Sequence, residues 1–299
     1  MFDRDKYVKI NESIIYTPKI KEDKKLLIMS DTHIHNNSSL KSMDEFLQII
    51  DKENPDYIFL VGDIVDSPRI LNENEKVVTS FITSLSSIAK TYITLGNHEL
   101  DDNNYFNIQA LIDYFEKINK LRYINVLDNK TKTEGDLLLT GFTQELDIYT
   151  NNKLHEDHEL FRDSFLSRNF KNKENKYNIL LTHSPESIIK NLDILSKYDL
   201  FLTGHYHNGF TPALFDGLFQ NKGFISPKLK IFPEYAKGLI NLNDSYLLIT
   251  GGVNKFGVSV NKYLKYLNKF YYKQFDIVNL TNDEEKNNTQ NKFVKKLKL

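Results

Sequence analysis

Five short segments of this 299-residue chain concentrate side chains that bind divalent cations. They are Asp31-Thr32-His33, Gly62-Asp63-Ile64-Val65-Asp66, Gly96-Asn97-His98-Glu99, His183 at the end of ILLTH, and Gly204-His205-Tyr206-His207 at the end of LFLTGHYH. Five of the eight histidines lie in them. Each piece alone is weak: an Asp after a strand is usually a cap, and a lone His is usually a satisfied core or surface residue. Together they make a ligand set. Imidazole suits Mn, Fe, Zn and similar ions, while carboxylate and amide oxygens tune hardness and charge. Two cations about 3.5–4 Å apart repel each other and need an anionic ligand between them, for which Asp63 is the natural candidate. In His205-x-His207 two imidazoles reach one site only if the backbone is extended or turning, and Gly204 supports a turn.

Short apolar runs stand in front of these segments. Lys25–Ser30, Tyr57–Val61, Tyr92–Leu95, Leu137–Thr140, Ile179–Thr182, Leu200–Thr203 and Tyr246–Thr250 read as strands, most of them continuous and apolar as for strands covered on both faces. Helical stripes lie between them: Met43, Phe46, Leu47 and Ile50, with Ser42 and Glu45 spaced as a capping box; Val78, Phe81, Ile82 and Leu85; and Ile108, Leu111, Ile112 and Phe115. Alternating strands and helices predict an α/β fold. Ligand sites of open α/β sheets lie beyond the carboxyl ends of the strands, where all five segments fall.

Composition sets the outer limits. Hydrophobic residues make up 40%, enough for a large core. With 39 basic and 40 acidic residues the net charge is −1, so no global field points to nucleic acid. The chain has no cysteine, which excludes disulfides and thiolate metal sites. The N-terminus lacks a signal-peptide-like apolar run, and no stretch nears the ~18 apolar residues of a membrane span. A soluble cytoplasmic protein is the expectation.

The order D-x-H, G-D-x-x-D, G-N-H-E, H, G-H-x-H resembles that of the calcineurin-like metallophosphoesterases, from about Lys25 to His207 and on to the turn at Thr250-Gly251-Gly252. The resemblance implies a four-layer α/β/β/α sandwich with two mixed sheets. It also implies two divalent metal ions, Mn first, with Fe, Zn, Co or Ni also compatible. Asp31, His33 and His207 would hold the first ion, Asp63 would bridge, and Asn97, His183 and His205 would complete the second. His98 would assist the leaving group and Asp66 would orient His98 from behind. In this family a metal-bound water or hydroxide attacks phosphorus in line. The implied activity is hydrolysis of a small-molecule phosphoester. A phosphodiester is favoured over a monoester, because arginine is scarce (Arg4, Arg69, Arg122, Arg162 and Arg168). The alternatives are a non-catalytic scaffold, in which replaced ligands would be expected, and a nuclease, in which a basic groove would be expected.

Weaker signals remain. Arg69 could offer its fork to a phosphate or serve a structural contact. His35 extends the first motif without a clear task. His155-Glu156-Asp157-His158 reads as a solvated stretch, as does Arg168–Tyr177. Residues 208–237, directly after the last ligand, form an apolar lobe with a helical stripe of Leu214, Phe215, Leu218 and Phe219 if Pro212–Gln220 is helical. That lobe is either a covering unit or dimer contact, or an apolar wall selecting a greasy substrate such as a lipid-linked phosphodiester. One metallophosphoesterase domain is expected over residues 1–280. A polar, unstructured tail is expected over residues 281–299, ending in a basic segment that could meet a membrane surface.

Overall fold

The computed structural model describes residues 6–35, 38, 40–150, 156–254, 269–287 and 293–298. In chain order its strands are β1 (Tyr7–Tyr16), β2 (Lys24–Met29), β3 (Tyr57–Val61), β4 (Lys90–Thr94), β5 (Ile124–Val126), β6 (Lys130–Glu134), β7 (Leu137–Gly141), β8 (Tyr177–Leu181), β9 (Leu200–Thr203), β10 (Gly238–Asn241), β11 (Tyr246–Ile249), β12 (Lys273–Thr281) and β13 (Phe293–Lys298). The helices are α1 (Leu40–Lys52), α2 (Ile70–Ile88), α3 (Asn97–Leu100), α4 (Tyr105–Ile118), α5 (Leu146–Thr150), α6 (Glu156–Ser167), α7 (Leu192–Leu195) and α8 (Glu284–Asn287).

The strands form two mixed sheets, ordered β13-β1-β12-β2-β3-β4-β5 and β10-β11-β9-β8-β7-β6. Side chains alternate across each strand, and the alternation builds three cores. Leu26 and Ile28 of β2, Phe59 and Val61 of β3, Ile179 and Leu181 of β8, and Leu200 and Leu202 of β9 meet between the sheets. Leu27, Met29, Ile58 and Leu60 point the other way, against α1, α2 and α4. Leu180 and Phe201 face Phe161 and Phe165 of α6. The result is the expected four-layer α/β/β/α sandwich. Strands buried on both faces must be apolar at every position, so β3 and β9 match their predicted limits.

Three expectations need correction. Helix α1 begins at Leu40, so Ser42 lies inside its first turn and is not the N-cap. Pro212–Gln220 forms a succession of turns, not a helix; Phe215 N and Leu218 N donate to carbonyls three residues back, and no helical ladder follows. The segment expected to be an unstructured tail contributes α8 and the edge strand β13, which pairs antiparallel with β1 from Tyr7↔Lys298 to Glu12↔Phe293. Its Lys295 reaches Glu53 at 3.2 Å. The high polarity of this segment suits an exposed edge strand, where lysines discourage further pairing.

Among the described residues no helix is long and apolar enough to cross a membrane. If β13 holds down β1, truncation after Asn287 should lower the thermal midpoint by a few degrees, at about 2–4 °C per kcal/mol lost. An unchanged midpoint would show that the edge strand contributes nothing.

Candidate metal centre

The five segments converge where the strands of both sheets end. Asp31 follows β2, Asp63 follows β3, Asn97 opens α3 after β4, His183 follows β8 and His205 follows β9. The first two loops are fastened to each other. Asp31 N donates to Gly62 O (3.1 Å), His33 N to Asp63 O (3.1 Å) and Ile34 N to Ile64 O (2.9 Å). Parallel pairing of β2 and β3 thus continues through the ligand loops.

Three overlapping groups of ligand atoms result: Asp31 with His33 and His207; His33 with Asp63 and His98; and Asp63 with His183 and His205. Within each group the ligand atoms lie within 4.8 Å of one another. Asp31, Asp63 and His183 are at most 1% exposed. Asp31, His33, Asp63, His205 and His207 all sit at positive φ, between 42° and 66°. L-residues avoid that region at a cost of order 1–3 kcal/mol each. Five such residues in one cluster mean that the backbone is shaped for the site rather than for local comfort. Glycine makes the close approach possible: a Cβ on Gly62 would meet the His183 ring at 2.6 Å, and one on Gly96 would collide with Asp63.

Backbone carbonyls aim the imidazoles. His183 Nδ1 lies 2.7 Å from Val61 O, His207 Nδ1 3.1 Å from Asn254 O and His98 Nδ1 2.9 Å from Asp66 O. Such bonds fix the tautomer and leave Nε2 as the free ligand or donor atom. His183 Nε2 then lies 3.0 Å from Asp63 Oδ2 and 3.8 Å from Asp31 Oδ1.

The electrostatics show what the cluster lacks. Burial disfavours a charged His183, yet the Asp63 and Asp31 carboxylates beside it push it up to about 10. Burial lifts Asp31 above the ordinary carboxylate range despite the neighbouring His183. His33 is driven down to about 3, by burial and by the neighbouring His98. A site that draws a proton this strongly is short of positive charge, and cations can supply it. Buried Asp31 Oδ1 and Asn97 Oδ1 make no hydrogen bond, a costly condition unless another partner takes them. The nitrogen and oxygen donor set fits divalent transition ions.

Asp66 lies behind His98 and touches its ring through the backbone carbonyl. The Asp66 carboxylate instead approaches His33, with Oδ1 3.6 Å from Nδ1. Glu99 has a part that sequence reasoning missed. It is 1% exposed. Its two oxygens accept from four backbone N–H groups: Asp63 (2.9 Å), Ile64 (2.7 Å), Val65 (3.1 Å) and Gly96 (2.6 Å). One carboxylate therefore ties the loop carrying Asp63 to the loop carrying Asn97 and His98. Its position inside the third motif was a signal, but its partners are main-chain atoms and leave no trace in residue types. Tyr149 is a second omission; its ring meets His205 edge-on at 5.1 Å.

Arg69 and His35 line an open cleft of 460 Å³ beside His98 and Asp66. Arg69 donates through Nε to Asp102 at 3.0 Å. His155 lies outside the described residues, and His158 is carried on α6.

A two-sheet α/β sandwich with clustered cation ligands at the strand ends defines a class of metal-binding hydrolase folds. Residues 24–209 match the calcineurin-like phosphoesterase family, and the chain belongs to that family. An uncharacterized metallophosphoesterase of Campylobacter jejuni is 26% identical over 247 residues, covering 81% of this chain and 57% of the relative. One from Helicobacter pylori is 26% identical over 204 residues, covering 67% and 49%. A Bos taurus transmembrane protein with a metallophosphoesterase domain is 24% identical, covering 62% and 40%. The chain spans about half the length of the curated relatives it matches. Among solved structures, a purple acid phosphatase from yellow lupin seeds has a TM-score of 0.43 at 15% identity, covering 79% of this chain and 45% of that one. A dimetal phosphatase from Danio rerio has a TM-score of 0.42 at 10% identity, covering 78% and 88%.

If Glu99 is the clamp, Glu99→Gln should lower stability by about 1–3 kcal/mol, because one amide NH₂ must now face backbone donors. Bound metal should fall with it. Urea denaturation and metal analysis of the same preparation check this, and wild-type values for both would show that Glu99 fastens nothing.

Proposed function

We propose that this chain hydrolyses phosphodiesters at a two-metal centre. The observation that carries the reading is the overlap of the groups: His33 and Asp63 each belong to two of the three, so the cluster is continuous and could hold more than one ion, with Asp63 the candidate shared ligand. Asp31, His33 and His207 would hold one ion, and Asn97, His183 and His205 the other. Mn is our first choice for both. Bound there, such ions supply Lewis acidity that activates water and offsets charge on the phosphoryl oxygens.

The chain's own residues account for the rest. Asp66 O accepts from His98 Nδ1 and turns Nε2 toward the substrate. Burial disfavours a charged His98, but the Asp63 carboxylate and the Asp66 carbonyl hold its pKa above the ordinary value. His98 would give a proton to the departing alkoxide. Asp66, against His33, keeps that ligand in place. Glu99 fixes Asp63 and His98 relative to each other, and orientation of this kind lowers the barrier by removing motion before reaction.

The cleft supports a diester. Its one arginine, Arg69, shares the wall with Glu73, Asp101 and Asp102. A monoester brings a second negative charge to these carboxylates, whereas a diester brings one charge and a second ester group.

Metal-stripped protein refilled with Mn should hydrolyse bis-p-nitrophenyl phosphate faster than p-nitrophenyl phosphate, and Asp63→Asn should abolish both. Two bound ions with no turnover would point to a scaffold, and failure to bind ions would sink the reading. His98→Ala should keep its metal and lose about 10²–10⁴-fold on an alkyl diester, whose leaving group needs a proton. It should lose far less on the p-nitrophenyl compound, whose leaving group needs none. Equal losses on the two would exclude His98 as the acid.

A further inference from the structure

The lobe after His207 presents apolar side chains to solvent on a firm support. Seven of the fourteen exposed large apolar residues among the described residues fall within residues 214–235. Leu214, Leu218 and Leu229 are 79%, 73% and 76% exposed, and Ile231 and Phe232 are 68% and 53%. Single exposed leucines need no explanation, but these are joined. Rings of Phe215, Phe219, Phe224 and Phe232 follow one another with centroids 5.1–6.3 Å apart. They connect the turn bearing Leu214 and Leu218 to the segment bearing Ile231 and Phe232.

The support is well fastened. Phe224 N and Ile225 N both donate to Gly209 O, and Ala236 N donates to Asn221 O. Asp216 is held between Lys9 and Lys237, at 2.5 and 3.0 Å. Leu229 and Phe232 are kept at φ +59° and +50°, a conformation that costs large side chains energy and here holds them outward. A patch of joined apolar groups on a braced loop marks an interaction surface.

The charges identify what it meets. Lys222 and Lys230 stand exposed on the lobe. With Asp216 occupied between two lysines, Glu234 is the remaining acid within residues 209–235. Lys9, which reaches the lobe from β1, is paired with Lys296 across β13. Directly paired residues share a sheet face, so exposed Lys296, and Lys298 two residues on, stand on the lobe's side of the sheet. Protein interfaces enrich Arg, Met and the aromatic residues and deplete Lys; residues 209–235 hold five Phe and one Tyr, but no Arg, Trp or Met, and three lysines. Leucine, isoleucine and phenylalanine at loop tips with lysines around them match the boundary between acyl chains and anionic headgroups.

We propose that residues 210–235 form a docking surface for an anionic lipid bilayer. The lobe inserts Leu214, Leu218, Leu229 and Ile231, while Lys222 and Lys230 meet lipid phosphates. The Phe210 ring lies 5.2 Å from that of His207, so a docked lobe holds the ligand cluster close to the lipid surface. The inference does not depend on which phosphoester is cleaved, or on whether any is.

The test is sedimentation of the full chain with vesicles of phosphatidylcholine alone or mixed with phosphatidylserine. The chain should sediment with the mixed vesicles and stay in solution with the neutral ones. Lys222→Glu with Lys230→Glu should weaken partition about fivefold for each lysine lost. Leu214→Ser with Leu218→Ser should release the chain as well. All four positions are exposed, so the thermal midpoint should not move and misfolding is separable from lost binding. No sedimentation with anionic vesicles, or sedimentation indifferent to both pairs, overturns the proposal. A dimer in solution that Leu214→Ser with Leu218→Ser dissociates also overturns it and assigns the surface to a second copy of the chain.

Discussion

Two carboxylates shut away from water, Asp31 and Asp63, both lie within 4 Å of the buried His183 imidazole, at 3.8 and 3.0 Å. Charges of one sign do not gather in a low-dielectric interior without compensation. Compensation by a proton on His183 is the arrangement available to the protein alone, and it requires His183 to remain charged well above its ordinary range. Compensation by cations frees that proton. Most of the molecule can be read as apparatus for keeping these groups together in spite of their repulsion.

The apparatus is mostly main chain. Glu99 places a third carboxylate nearby, and four backbone N–H groups converge on it. Carbonyls of Val61, Asp66 and Asn254 set the imidazoles. Loops that would otherwise relax are held at positive φ because the strands before them cannot move: the inter-sheet core anchors β2, β3, β8 and β9 at once. Shifting one strand would exchange the side chains that face that core and break its packing. Apolar packing therefore bears the strain at the site, which is why a metal centre of this kind needs two full sheets behind it.

That division explains what could be read from the sequence. Strands β3 and β9, apolar but for Thr203, were legible to the residue. The candidate ligands stood out because their chemistry is carried by side-chain type and because the motifs end such strands. Strands β1 and β12 were not. They contain buried Lys9, Ser13, Gln274 and Asp276, and partners elsewhere in the fold meet them: Lys9 pairs with Asp216, and Asn11 Nδ2 and Thr250 Oγ1 both donate to Asp276. Partners hundreds of residues apart give no local pattern. Gly217 and the prolines of the lobe argued against the helix expected there, but the spacing of Leu214, Phe215, Leu218 and Phe219 imitated one. Asp66 was found by its motif, but residue type alone does not tell a carboxylate contact from a backbone one.

The same buried polar network settles how far the site extends. The family match ends at residue 209, yet the ligand cluster leans on residues well beyond that point. Gly252 packs against Asp31 so closely that a Cβ would meet it at 2.9 Å. Asn254 carries the carbonyl beside His207 Nδ1. Gln274 of β12 accepts from Asn208, the residue after the last ligand, and passes the chain of bonds to Asp276. From Asp276 it reaches β1 through Asn11, and β1 holds the lobe through Lys9 and Asp216. His207 is thus fixed from one side by β12 and from the other by the lobe that begins directly after it. A force on the lobe is therefore a force on His207, whose ring lies in one candidate ligand group with Asp31 and His33.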